Sequence, residues 1–140
     1  MNTTTKALRN TKITPIKGHK EDISKIIVDC IFKVHKALGP GLLENAYEAC
    51  LEHEIKKRGL NVERQKQLPV FYDGISVEAG YRLDLLIEND FIVAIKAVEK
   101  MNPLYQAQMI TYLKLSKIKT SLLVNFNVPL IKNGIQRISV

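Results

Sequence analysis

The sequence predicts an α/β protein: one domain with a mixed β-sheet flanked by helices. Three observations predict it. Apolar residues recur at helical spacing from Glu21 to Leu38 and again from Leu42 to about Arg58. Short apolar strand patterns separated by tight turn signals fill the middle of the chain, ending near Lys96. A third helical stretch follows Asn102-Pro103 and gives way to two more strands.

Residues 1–20 are rich in Thr, Asn and Lys without a clear period, so they read as a flexible basic arm ahead of a single domain, 21–140. In the first helix Ile23, Ile27, Cys30, Ile31, Val34 and Leu38 share the apolar face. Glu21 and Asp22 suit its positive end, and Lys33, His35 and Lys36 suit its negative end. His35 reads first as a helix-end histidine and only second as a site residue. Gly39-Pro40-Gly41 breaks this helix and starts the next. The second helix presents Leu43, Ala46, Tyr47, Cys50, Leu51 and Ile55 to the core and stops at Gly59. Glu44 lies in its first turn, where a carboxylate gains about 0.3–1 kcal/mol from the macrodipole. Glu44 and Tyr47, three apart, share one face beside the core on this reading.

Asn61 to Tyr72 reads as a strand, Asp73-Gly74 as a hairpin turn and Ile75 to Glu78 as the return. Next come the two best core strands, Tyr81 to Ile87 and Phe91 to Val98. Each carries a charge, Asp84 and Lys96, where an isolated buried ion costs at least several kcal/mol. If Glu88-Asn89-Asp90 is a three-residue loop, Ile87 pairs with Phe91, Asp84 faces Ala94, and Lys96 is the diagonal neighbour of Asp84. Arg82, Asp84, Ala94 and Lys96 then form a polar face. Tyr81, Leu83, Leu85, Ile87, Phe91, Val93 and Ile95 form an apolar one. A buried Asp84–Lys96 salt bridge would account for the charges without giving them a purpose. The third helix opens with Asn102 as N-cap and Pro103 in its first position and runs to about Ser116; Gln108 and Tyr112, four apart, are neighbours on it. Lys119 to Phe126 is a buried strand and Ile135 to Val140 a short final one.

The formal net charge is +7 in a chain of ordinary composition, 46% hydrophobic and 25% charged. Its distribution is uneven: residues 1–20 carry +5, 21–99 carry −4 with all fourteen acids, and 100–140 carry +6. Basic flanks around an acidic middle would draw a polyanion, though on charge alone a generic soluble basic protein is the simpler reading; charge taken together with the site chemistry below makes nucleic acid the expected partner. No apolar run approaches the ~20 residues a membrane span needs, so no membrane partner is expected. The first twenty residues lack the apolar core of a secretory signal, and the two cysteines, Cys30 and Cys50, read as buried thiols. The expected location is cytoplasmic. No P-loop, dinucleotide fingerprint or zinc spacing is present.

Asp84 followed by Ala94-Ile95-Lys96 resembles the PD-(D/E)xK nuclease signature. Gly41-Leu-Leu-Glu44-Asn-Ala-Tyr47 matches the motif that names the GxxExxY protein family, a group within that superfamily. The similarity runs from about Ile23 to Ile138 and includes His35, Gly80-Tyr-Arg-Leu-Asp84, Lys96-Ala-Val-Glu99 and Leu123-Val-Asn-Phe-Asn127. Gln108-x-x-x-Tyr112 resembles the helix motif of RecB-like members. The resemblance implies a restriction-endonuclease-like fold and a metal-dependent nuclease, using Mg²⁺ or Mn²⁺, that hydrolyses phosphodiester bonds of DNA. It implies Asp84 as the central metal ligand, the Ile95 carbonyl as another, and Lys96 as the catalytic lysine. Glu44 would complete the acidic site or hold a water, and Gln108 and Tyr112 would line it. Where the family carries Glu, this chain has Ala94, so weakened or absent catalysis is expected. An introduced inactivating change and a naturally degenerate member both account for it. Glu99 cannot replace the acid, because on a regular strand it faces away from Lys96. The alternative reading is a non-catalytic nucleic-acid- or protein-binding module on a degenerate nuclease fold. Small size makes a homodimer or a partner protein plausible.

Overall fold

The computed structural model describes residues 19–140. The expected basic arm, 1–20, lies outside them except for His19 and Lys20, with which the first helix begins. The elements are α1 (His19–Leu38), α2 (Glu44–Lys57), β1 (Val62–Gln67), β2 (Val70–Tyr72), β3 (Ile75–Val77), β4 (Arg82–Ile87), β5 (Phe91–Lys96), α3 (Pro103–Ser116), β6 (Thr120–Asn125) and β7 (Ile135–Ser139), with a 3-10 turn at Ile131–Gly134.

Five strands form a mixed sheet in the order β1-β4-β5-β6-β7. The β5–β6 pair is parallel and the other pairs are antiparallel. A parallel pair needs a crossover, and α3 supplies it. Asn102 caps α3 as its sequence predicts: its side chain accepts the Leu104 N–H at 2.9 Å, with Pro103 in the first turn. The architecture is that of a restriction-endonuclease-like fold.

Both sheet faces are buried. On one, Ile27, Ile31, Tyr47, Leu51 and Ile55 of α1 and α2 pack against Leu85, Ile87, Phe91, Val93 and Ile95. On the other, Met109 and Leu113 of α3 pack against Leu83, Leu86 and Ile92, with Ala94 and Tyr112 at the edge. The face expected to be polar is therefore a second core over half its length. Its charged residues lie at one end of that face, beside Tyr105, Gln108 and Tyr112 of α3.

The loop reading holds: Ile87 pairs with Phe91, and Glu88 and Asn89 both adopt left-handed backbone. The paired register stops, however, at Leu85–Val93. Leu83 and Leu85, two apart, also lie in opposite cores, although alternate strand residues ordinarily share a face. The cause sits opposite Asp84. Gln65 has φ +55 within β1, between the pairs Arg64–Leu85 and Lys66–Leu83. A left-handed residue inverts the alternation of its strand, and β4 turns over with β1 while the register is kept. Leu83 thus leaves the apolar face that simple alternation assigns to it.

The stretch from Asn61 to Tyr72 is two strands and not one. Pro69 has no N–H for a ladder, and Leu68 donates to the Tyr81 carbonyl at 2.9 Å. The chain leaves the sheet there, and β2 pairs with β3 alone as a projecting hairpin.

The Gly39-Pro40-Gly41 bend is held from α2. The Tyr47 hydroxyl donates to the Gly39 carbonyl at 2.6 Å and accepts the Leu42 N–H at 3.0 Å. Its ring is fully buried and stacks on Phe126 with centroids 4.5 Å apart. Gly41, at φ +105, takes a conformation that side chains disfavour. Glu44 and Tyr47 both stand on the sheet side of α2: Tyr47 is buried in the core, and Glu44, exposed at the helix start, accepts the Ala97 N–H at the end of β5. His35 is structural, its Nε2 2.8 Å from the Val128 carbonyl oxygen. Both cysteines are free; Cys30 is buried and Cys50 half-buried. Among the described residues no helix is long and apolar enough to cross a membrane.

Candidate active site

The site lies where β4 and β5 part. Beyond Leu85–Val93 the ladder gives way to a side chain: Asp84 Oδ2 accepts the backbone N–H of Ile95 at 2.8 Å. This bond satisfies an amide that a regular ladder would have paired, and it fixes the carboxylate without an ion pair. No ion pair among the described residues joins Asp84 to Lys96. The salt bridge that would have explained both charges does not form. Lys96 instead sets Nζ 4.5 Å from the centroid of the Tyr105 ring, a cation–π contact worth about 0.5–1 kcal/mol at an accessible site.

Arg82, Leu83, Asp84, Ile92, Ala94, Lys96, Gln108 and Tyr112 line one cleft of about 120 Å³. The structure thus brings together five of the positions singled out in the sequence: Asp84, Ala94, Lys96, Gln108 and Tyr112. Gln108 is exposed and Tyr112 half-buried, the latter with its ring 6.2 Å from that of Tyr81. Burial pushes the Tyr112 hydroxyl above the ordinary tyrosine range, and the nearby Tyr81 and Asp84 add to the shift. Tyr112 is therefore a neutral donor at physiological pH. The Ala94 side chain is a methyl group and offers the cleft no polar atom.

Glu44 is not in that wall. Its Oε2 accepts the Ala97 N–H at 3.3 Å, so the first turn of α2 meets the exit of β5, one residue past Lys96. Asn125 holds the same exit from the other side: its amide exchanges hydrogen bonds with Val98, donating to the carbonyl at 3.0 Å and accepting from the N–H at 3.1 Å.

A second acid does approach Asp84, and the sequence reading missed it. Glu48, one turn beyond Glu44 on α2, is buried at 5% exposure. Arg64 donates Nε to its Oε2 at 2.6 Å, and Gln65 donates Nε2 to its Oε1 at 2.9 Å. The same Gln65 nitrogen lies 3.4 Å from Asp84 Oδ1. Desolvation raises the Glu48 carboxyl above its ordinary range, the Arg64 and Gln65 bonds oppose the shift, and the Asp84 charge adds to it. The available signal was a carboxylate inside the apolar run Ala46-Tyr-Glu-Ala-Cys-Leu51.

A larger open groove, about 850 Å³, runs beside β1 between Glu63–Pro69 and Ser76–Gly80. Gln65 lines it and reaches Asp84, so the groove adjoins the site.

Residues 21–138 match the family model of the PD-(D/E)XK nuclease superfamily, and the chain belongs to that superfamily. No curated protein and no solved structure matches the chain significantly. PD-(D/E)XK nucleases generally use divalent metals. Among the described residues, no three or more His, Cys, Asp or Glu side chains gather as a metal cluster. Mg²⁺, however, is commonly held by one or two carboxylates with waters and substrate phosphate completing its shell. Asp84 keeps Oδ1 clear of the Ile95 bond, and hard oxygens are the right donor type. The residues fit such an ion, with a shell poorer than a second strand acid would provide.

Proposed function

We propose that this chain is a divalent-metal-dependent nuclease acting on DNA, a member of the GxxExxY group, with its activity weakened by Ala94. The observation that carries this reading is the cleft in which Asp84, Lys96, Gln108 and Tyr112 converge around position 94. Asp84 and the Ile95 carbonyl would hold Mg²⁺ or Mn²⁺, which supplies charge stabilisation at the phosphoryl oxygens and acidifies a bound water. The Ile95–Asp84 hydrogen bond fixes the carboxylate before substrate arrives. Lys96, swinging off Tyr105, offers an ammonium to the developing phosphoryl charge. Gln108 and Tyr112 orient the phosphate by donating hydrogen bonds from one edge of α3. Glu44 steadies the strand exit behind Lys96. Residues 100–140 carry +6 and the arm +5, charges that draw a polyanion toward the site.

The test is Ala94→Glu. It is expected to give Mg²⁺- or Mn²⁺-dependent cleavage of DNA that Asp84→Ala or Lys96→Ala abolishes again. A restored protein that cuts neither DNA nor RNA with either ion would remove the support for this reading. The alternative, a binding module that does not cut, is favoured by the Lys96–Tyr105 contact, which holds the lysine away from Asp84. It expects salt-dependent binding of nucleic acid with no metal requirement.

A further inference from the structure

Two carboxylates from different elements aim at one amide group. Each has one oxygen committed to a fixed donor: Asp84 Oδ2 to the Ile95 N–H, and Glu48 Oε2 to Arg64 Nε. Each turns its other oxygen toward Gln65 Nε2, at 3.4 and 2.9 Å. A single neutral –NH₂ group thus sits between two acids, where it offsets their mutual repulsion only weakly. Glu48 is the more costly of the two to keep charged, being nearly inaccessible to water. Gln65 is also one of five non-glycine residues with positive φ among those described, in a conformation that costs of order 1–3 kcal/mol. That backbone inversion is what delivers its side chain to this point.

From this geometry we infer that Glu48 supplies the second carboxylate of the metal site, entering from α2 in place of the acid absent at Ala94. The inference rests on the metal-dependent reading above. Gln65 is a positioning residue: its amide holds the two carboxylates in register when no ion is bound and gives way when one is. Glu48 then exchanges an amide for a full positive charge, which a buried carboxylate favours far more strongly. The chain on this view is not stripped of its acid. It draws the acid from a helix and keeps Ala94 as the floor of the cleft.

The experiment is a titration of the full chain with Mn²⁺, followed by the loss of the free-ion paramagnetic resonance signal. Wild type is expected to bind, and Glu48→Gln and Asp84→Asn are each expected to weaken binding about tenfold or more. Glu52→Gln, a turn further along α2 on an exposed pair with Lys56, is expected to change nothing. The double variant Glu48→Gln/Ala94→Glu is expected to recover binding, which also shows that a chain carrying Glu48→Gln is folded. Unchanged affinity in Glu48→Gln beside a loss in Asp84→Asn overturns the inference and leaves the nuclease reading intact. Binding by Ala94→Glu but not by wild type does the same. No binding by either, or binding indifferent to Asp84, overturns both.

Discussion

Asp84 accepts the backbone N–H of Ile95, so the candidate catalytic carboxylate also completes the sheet at the point where β4 and β5 separate. Its structural and chemical roles can be told apart. Asp84→Ala leaves a buried amide unsatisfied and is expected to cost about 1–3 kcal/mol in urea denaturation. Asp84→Asn keeps an acceptor oxygen and is expected to cost clearly less. In the Ala94→Glu background both are expected to abolish cleavage. Retained cleavage in the Asn variant would separate the carboxylate from the chemistry.

Lys96 is expected to divide the other way. Its contact with Tyr105 is worth about 0.5–1 kcal/mol, so Lys96→Ala should leave thermal stability within about 1 kcal/mol of its parent. Cleavage by the Ala94→Glu protein should be lost with it. A large fall in stability would mark the lysine as structural.

Tyr47→Phe removes one hydroxyl that serves two backbone groups, at Gly39 and Leu42. A loss of about 1–2 kcal/mol is expected, with faster amide exchange at Leu42. Tyr47→Ala also forfeits the stack on Phe126 and is expected to cost about 3–5 kcal/mol. Equal effects of the two changes would show that the hydroxyl, and not the ring, holds the bend.

Burial raises the Cys30 thiol above the ordinary thiol range, with weaker and opposing contributions from Arg58, Glu54, Asp29 and Lys33. The folded state therefore holds this proton at a pH where the unfolded chain has released it. Its contribution to stability is full below the ordinary thiol value of about 9.0 and is lost as pH rises through the higher folded value. Cys30→Ala should flatten the fall in stability on the alkaline side. A thiol reagent at mildly alkaline pH should modify Cys50, which is half-buried, well before Cys30. Equal rates in the folded protein would contradict the burial.

The sequence made the layer order, the crossover helix and the Ile87–Phe91 loop legible because each depends on local signals: period, cap and turn residues. Strand register put Asp84, Ala94 and Lys96 on one face and one helical turn put Gln108 beside Tyr112, but that the two groups meet was implied only by the resemblance to the nuclease superfamily. Gln65 was not legible, since nothing in its chemistry asks for φ +55, and alternation through β4 was wrong beyond that point for the same reason. Glu48 was hidden by its neighbours. A helix face identified from Tyr47, Leu51 and Ile55 gives no warning that the carboxylate beside Tyr47 is equally buried, because its partners, Arg64 and Gln65, come from a strand whose path had to be known first.

β5 is the central strand of five, paired on both sides and covered on both faces. Its amides should open to solvent only when the whole domain does, unlike those of the projecting β2–β3 hairpin. The scaffold under Ile95 and Lys96 is thus as durable as the protein itself, whereas position 94, half-buried at the edge of the second core, lines the cleft. Selection for folding therefore guards the strand more closely than the chemistry at this one position. A lineage could lose the reaction in one step, keep a sound protein, and regain the reaction from any neighbouring helix that brings a carboxylate to the same gap.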